Sequence, residues 1–385
     1  MHLRRNIIIS TLALALFGIV MIYSASSYSA ELHTGDAFFY VKKQLLGFIA
    51  GCVTMVCGYL VKEEWLAKFK WIIYAVSMVL LLILFIPGVG QSSYGATRWI
   101  NLGFITLQSS EIAKFGLVIF LACYLYEHPP ISLKSLIVPV VTGLSTCVAV
   151  MLEPNMSITL VIGASLMVML FIGGMKRKHI SIAVVAVCIA IPLLIILEPY
   201  RVKRLVAFVD PWANPKGEGY QLIQSYYALG SGGLFGVGLF NSRQKYLYLP
   251  FAESDFIFSV IGEELGIIGC FVVIAVYLVL IWSGIKVAIK AESNRTRMLA
   301  AGITSIIAIQ TLLNIAVVSG AVPPTGVPLP YISAGGSSLM VFMFASGLLA
   351  RLSGEKPILQ SFGKTKSKIS KQKIQPRATK AHTLR

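Results

Sequence analysis

A chain of 385 residues that is 56% hydrophobic and only 13% charged, with a mean hydropathy of +0.79, is not a soluble protein, whose charged fraction is about 25%. The same composition excludes a disordered chain and a collagen-like fibre. Its formal charge of +17 could point to nucleic acid, but 10 of the 33 Lys and Arg residues lie from Arg351 onward, where a basic run beside a membrane acts as an orientation signal and a contact for anionic lipid; no nucleic-acid partner is expected.

A bilayer core of about 30 Å takes about 20 apolar residues of helix. Ten runs qualify: Ile7–Tyr23, Leu45–Val61, Trp71–Ile86, Leu107–Leu125, Leu136–Leu152, Ile158–Ile172, Ile180–Leu197, Phe256–Ile285, Met298–Val322 and Gly335–Ala350. The first, with Arg4 and Arg5 before it and small residues from Ser24 to Ala30 after it, has the outline of a signal peptide. Its apolar stretch is long for that role, and it is read as a retained anchor. With the N-terminus and the even-numbered loops in the cytoplasm, 23 Lys and Arg fall on that side and 10 on the other, the bias that the positive-inside rule requires. The expected fold is therefore an all-α polytopic integral membrane protein of ten transmembrane helices with both termini cytoplasmic. Residues 1–352 form the membrane domain, and 353–385 a basic, disordered cytoplasmic tail held to lipid by charge. The segment from Glu198 to Ser254, between helices 7 and 8, is too polar to span and rich in Trp, Tyr and Gly. A long ordered loop of this kind is usually functional, and it puts any chemistry outside the cytoplasm.

All six cysteines lie in apolar runs without a CxxC pair, and the five histidines lack ligand spacing, so neither a disulfide framework nor a zinc site is expected. Ionisable groups in lipid cost several kcal/mol and need a partner or a task. In chain order, Arg98 and Trp99 read either as an anchor in the aromatic belt or as a ligand-binding pair. Glu111 and Lys114, three apart on one helix face, can neutralise each other. Arg201, Lys203, Arg204, Arg243 and Lys245 lie in the outer loop, where positive charge is otherwise scarce, and suit a phosphate or diphosphate. Asp255 stands where that loop meets the eighth helix. It can cap the helix, or it can act as a general base whose pKa is raised by burial. Glu263 and Glu264 follow two turns deeper, as groups bonded within the bundle. Gly230–Gly238 is not GxGxxG and follows no strand, and Gly363-Lys-Thr lacks the upstream glycine of a Walker loop, so no nucleotide site is inferred. The prolines 323, 324, 328 and 330 and Gly335-Gly-Ser-Ser338 make a non-helical stretch, tolerated at membrane depth only where it is buried in protein or lines a cavity. On these residues alone, an enzyme and a transporter of an anionic lipid both remain open.

The motifs Gly95–Asn101 (GATRWIN), Gln108-Ser-Ser-Glu-Ile-Ala-Lys114, Asp210-Pro-Trp, Gly219-Tyr-Gln, Gln224-Ser225, Gly230–Gly238, Ser242-Arg-Gln-Lys245, Ser254–Phe258, Glu263-Glu-Leu-Gly266, Pro328-Leu-Pro330 and Ser333–Ser338 resemble those of the SEDS family (shape, elongation, division and sporulation). The resemblance runs from the first helix to about Ala350. It implies a ten-helix glycosyltransferase of the bacterial cytoplasmic membrane that polymerises lipid II into peptidoglycan, with the essential carboxylate falling on Asp255. Arg98, Lys114, Arg204 and Lys245 are the candidates for holding the departing diphosphate, and Trp99 for packing against sugar or prenyl chain. Glu111, Glu263, Glu264 and Ser337 are read as supporting residues. The resemblance also implies a class B penicillin-binding protein as partner, alongside other division proteins. No protein metal cage is read, although a divalent cation (Mg or Mn) can accompany the diphosphate. Asp210-Pro-Trp and Ser242–Pro250 look like the division member, and Pro324–Pro330 reads closer to the elongation member. The chain departs from the usual pattern at Ser109 (usually Pro), at Asn155 in Glu153-Pro-Asn-Met-Ser (usually Pro-Asp-Leu/Phe-Gly), at Phe240 (usually Gly), at Phe251 (usually Glu), at Glu253-Ser254 (usually His-Thr) and at Ala334 (usually Tyr).

Overall fold

The computed structural model describes residues 2–86, 90–93, 96–101 and 106–354; Gly95 of the GATRWIN motif and the expected basic tail from 355 on lie outside the described residues. Helices α1 (His2–Thr34), α2 (Phe39–Leu60), α3 (Glu63–Lys68) and α4 (Lys70–Leu82) lead into strands β1 (Gly90–Ser93), β2 (Ala96–Asn101) and β3 (Thr106–Gln108). Then come α5 (Ser109–Glu127), α6 (Leu133–Leu152), α7 (Met156–Ile172), α8 (Arg177–Ile196), α9 (Pro199–Val209), α10 (Tyr220–Gly232), α11 (Ile257–Lys290), α12 (Asn294–Val318) and α13 (Gly336–Leu352). Seven of these, α1, α2, α5, α6, α8, α11 and α12, are long and apolar enough to cross a bilayer, and shorter apolar helices cover Lys70–Phe85, α7 and α13. Together they fall on the ten runs predicted from the sequence, and the molecule is an all-α polytopic membrane protein apart from one small sheet.

The differences have local causes. Helix α1 extends well past Tyr23 because Ser24, Ala25, Ser26 and Ala30 stay buried along its packed face. The ninth run stops at Val318, since Gly320 takes φ +70° and two prolines follow. The fourth begins at Ser109, because the residues just before it pair in a sheet that the sequence reading leaves unassigned. In that sheet β2 is central, with Trp99 opposite Gln91 on one side and Gln108 on the other.

Where lipid tails are as apolar as Leu, helices associate through close backbone packing at small residues. Helices α2 and α13 do so: Gly47 and Gly51, in GxxxG spacing, and Gly58 face α13. A Cβ at Gly47 would lie 2.5 Å from the Gly336 Cα, and one at Gly58 would lie 2.2 Å from the Phe344 carbonyl oxygen. By contrast α8 fully buries none of its residues; Ile180 and Ala183 pack part-buried against the core, and most of its surface is left to lipid.

Helix α11, with 34 residues, would be about 51 Å long if straight, well beyond a bilayer core. It is broken at Gly266, at φ 67°, and the break exchanges hydrogen bonds with the outer loop. The carbonyls of Glu263 and Glu264, which a continuous helix would offer to residues 267 and 268, instead accept from Val237 N (2.9 Å) and Gly238 N (3.0 Å). The amides of Ile267 and Ile268 donate to Gly233 O (3.0 Å) and Leu234 O (3.2 Å). The 233–238 segment is thus zipped into the helix, and its backbone groups are satisfied without water.

Candidate active site

Asp255 sits in the tight turn that closes the outer loop. Ser254 N and Phe256 N both donate to Phe251 O (3.1 and 3.3 Å), and α11 starts at Ile257. The N-cap residue is Phe256 and no side chain caps the helix, so the capping role open to Asp255 in the sequence is not the one it takes. Its backbone is held from two directions. Asn314 Nδ2 on α12 donates to Asp255 O (2.8 Å) and to Val327 O (2.7 Å). Ser333 Oγ donates to Ser254 O (2.6 Å), and Ala334 N donates to Glu253 O (2.9 Å). The carboxylate faces the proline-rich segment so closely that a Cβ on Gly326 would lie 3.2 Å from Asp255 Oδ2.

That segment is non-helical from Ser319 to Gly335, and its carbonyls find partners as membrane depth demands. Pro324 O accepts from Arg204 Nη1 (3.2 Å), Thr325 O from Ser157 Oγ, Pro328 O from Gln310 Nε2 (3.1 Å) and Pro330 O from Tyr277 Oη.

Two guanidinium groups complete the cluster. Arg204, on α9, lies over the Tyr200 ring at 4.6 Å. Arg98, on β2, donates from Nε to Glu153 O (3.1 Å) and from Nη2 to Pro154 O, the turn between α6 and α7. Both are half-buried, and both act electrostatically on Asp255. Burial raises the Asp255 carboxyl to about 6, Arg204 and Arg98 pull it down, and Glu253 pushes it up. Burial also raises Glu253, and it lowers Arg98 against the pull of Asp255 and Glu153. The result is a half-buried carboxylate flanked by two cations that form no direct ion pair with a carboxylate among the described residues. Such a site can accept a proton from a hydroxyl and receive an anionic leaving group.

Of the residues singled out from sequence, Asp255, Arg98 and Arg204 are brought together here, with Trp99 half-buried beside Arg98 on β2. Lys114 is elsewhere. It is wholly buried in α5, its Nζ 2.9 Å from Glu111 Oε1 and bonded to Gln310 Oε1, while Glu111 Oε2 accepts from Ser338 Oγ (3.1 Å). Ser337, also buried, accepts from Gln108 N (3.3 Å). Lys245 belongs to a second buried network. Its Nζ donates to Phe240 O, Ser24 Oγ (3.3 Å) and Glu264 Oε1 (3.4 Å). Glu264 also accepts from Phe240 N (3.0 Å) and Ser242 N (3.1 Å), and Glu263 from Ser242 Oγ and Arg243 N (2.9 Å). These two glutamates therefore pin the outer loop to the top of α11. Sequence reasoning missed Asn314, Gln310 and Gly326. The signal for the first two was present, two amides at i, i+4 in the mostly apolar C-terminal part of a membrane-spanning helix.

A protein-family model described as a cell cycle protein, covering FtsW, RodA and SpoVE, matches residues 4–357. Among curated relatives, the chain is 39% identical over 359 residues to the probable peptidoglycan glycosyltransferase FtsW of Geobacter sp. (strain M18), covering 90% of this chain and 95% of that one. It is 37% identical over 352 residues to stage V sporulation protein E of Bacillus subtilis, covering 90% and 96%. Among solved structures, it superimposes with a TM-score of 0.75, at 25% identity and covering 90% and 96%, on a chain of a peptidoglycan synthase complex that coordinates polymerization and crosslinking. On the rod shape determining protein RodA of Thermus thermophilus the TM-score is 0.67 at 23% identity, covering 90% and 95%, which speaks to the fold.

Proposed function

The chain belongs to the cell cycle protein family of FtsW, RodA and SpoVE, and from that premise we propose that it is a peptidoglycan glycosyltransferase that polymerises lipid II in the bacterial cytoplasmic membrane, at the division septum. The observation that carries the reading is Asp255, half-buried between Arg98 and Arg204 and left uncommitted to helix capping. In this reaction the 4-hydroxyl of the acceptor sugar attacks C1 of the donor. The O4–C1 bond forms as the bond from C1 to the diphosphate oxygen breaks, Asp255 takes the hydroxyl proton, and undecaprenyl diphosphate leaves with the electron pair. A base at about 6 is about nine-tenths ionised at pH 7 and still basic enough to share a proton in the transition state. Arg98 and Arg204 face the charge that develops on the diphosphate, and Trp99 offers a flat surface for sugar or prenyl chain. A divalent cation (Mg or Mn) carried by the diphosphate would add to its neutralisation; among the described residues no cluster of three or more His, Cys, Asp or Glu side chains would hold one independently of the substrate. Lys114 and Lys245, bonded into buried networks, act by holding the site's surroundings rather than by touching the substrate.

The septal role is supported by the Asp210-Pro-Trp and Ser242–Pro250 motifs, and by relatives named for FtsW. The partner is a class B penicillin-binding protein, working with other division proteins; a structural neighbour drawn from a polymerizing and crosslinking complex fits that pairing. The test is a reconstitution of the full chain with such a partner in sealed vesicles carrying fluorescent lipid II. Polymerised strands should form, and Asp255→Ala should abolish them while the protein remains folded. Transport of lipid II across the vesicle, without strands and indifferent to Asp255→Ala, would make the chain a transporter instead.

A further inference from the structure

Glu153 has no assigned part in this chemistry, yet its surroundings are unusual for a carboxylate. It is 1% exposed. One oxygen, Oε1, accepts a single bond from Ser109 Oγ of α5 (3.1 Å), and the other, Oε2, is buried with no partner among the described residues. A buried anion is sustained only when it is paired or saturated with donors. Arg98, the cation whose charge Glu153 feels, donates to the backbone carbonyls of Glu153 and Pro154 instead of to the carboxyl. This geometry suits a neutral acid: one acceptor oxygen used, one O–H in reserve, and the guanidinium held by uncharged carbonyls.

We propose that Glu153 is a positioning residue for Arg98 that works in its protonated form, keeping the 153–154 turn in place so that the Arg98 charge stays available to the diphosphate beside Asp255. Burial raises its carboxyl to about 8, against the hydrogen bond from Ser109 and the charge of Arg98, in agreement with that geometry. The other charged or titratable groups of the cluster are Asp255 ahead of α11 and Arg204 and Tyr200 on α9, which meet Glu153 through Arg98. Once ionised, Glu153 competes with the substrate for the guanidinium that its own carbonyl already holds.

The inference rests on the polymerase reading for its functional half, so its test has a readout that does not. In the full chain carrying Asp255→Asn, the infrared band of a protonated carboxyl is followed with pH. A band that disappears near pH 8 and is missing from Glu153→Gln is expected; a Glu153 already ionised at pH 6 overturns the proposal whether or not the chain polymerises anything. In the activity assay, Glu153→Ala should lower the rate about tenfold at neutral pH, and Glu153→Gln should restore most of it and remove an alkaline rise in KM for lipid II that the native chain shows near pH 8. A Gln variant as impaired as the Ala variant, or one that keeps the alkaline rise, contradicts it. Absence of strands from the native chain and every variant would count against the polymerase reading alone.

Discussion

At Asp255, opposing forces set a value that function can use. Burial drives the carboxyl up and two arginines restrain it, so activity should rise through an acid limb near pH 6 as the base form appears. Removing a cation that lowers the pKa must move that limb upward. Arg204→Gln should therefore shift it to higher pH, and Glu253→Gln, which removes a group that raises the pKa, should shift it lower. Rate against pH for the two variants checks both signs, and limbs that stay put would detach these side chains from the base. Gly326 permits the close approach to Asp255 Oδ2 and adopts φ +72°. Gly326→Ala should crowd the carboxylate and strain the turn, lowering kcat more than it raises KM. Single residues also explain several departures from the family pattern. Phe240 holds φ +68°, the conformation that a glycine would take at no cost. Ser109 is the first residue of α5, a position suited to Pro, and it spends its hydroxyl on Glu153. Asn155 caps α7 by accepting from Ile158 N (3.3 Å), as an Asp there would.

Between elements, the interrupted α11 does the work that a loop alone could not. The exchange of four backbone hydrogen bonds at Gly266 fixes the outer loop on the bundle, and the Glu263 and Glu264 carboxylates extend that grip to residues 240–244. A Cβ on Gly236 would lie 2.1 Å from Glu264 O, at φ +81°. Gly236→Ala should thus cost about 1–3 kcal/mol from strain and overpacking, read as a lower melting temperature of the purified protein. A melting temperature equal to that of the native chain would show that the loop is not clamped there. The spans were legible because a run of apolar residues needs no context to declare itself. The break in α11 was not, since Glu263-Glu-Leu-Gly266 carries helical residues on both sides and only the returning loop makes Gly266 necessary. The sheet was hidden for a related reason: β2 is six residues long, and its pairing depends on partners that have little strand character of their own.

For the molecule as a whole, charge buried in the bundle ties distant parts together. Lys114 on α5 joins Glu111 and Gln310, Gln310 on α12 reaches Pro328, and Glu111 reaches Ser338 on α13. Removing one partner strands the other in a dry interior, so Lys114→Met should destabilise the fold by about 3–5 kcal/mol, and the double change with Glu111→Gln should recover much of it. Thermal unfolding of the two variants checks this, and equal losses in both would mean that the pair is not a unit. Sequence singled out a carboxylate and several cations. It could not say which cations meet Asp255, because Arg98, Arg204, Lys114 and Lys245 lie on four different elements and only packing sorts them. Arg98 and Arg204 flank the Asp255 carboxyl, and the two lysines are bonded into the bundle and the loop. The most direct measurement of that arrangement is the turnover of lipid II into strands by the full chain carrying Asp255→Asn, compared with the native chain at matched lipid II occupancy. The neutral, nearly isosteric side chain should leave binding and folding intact and reduce strand formation to background; strands formed at the native rate would contradict the role of Asp255 as the base.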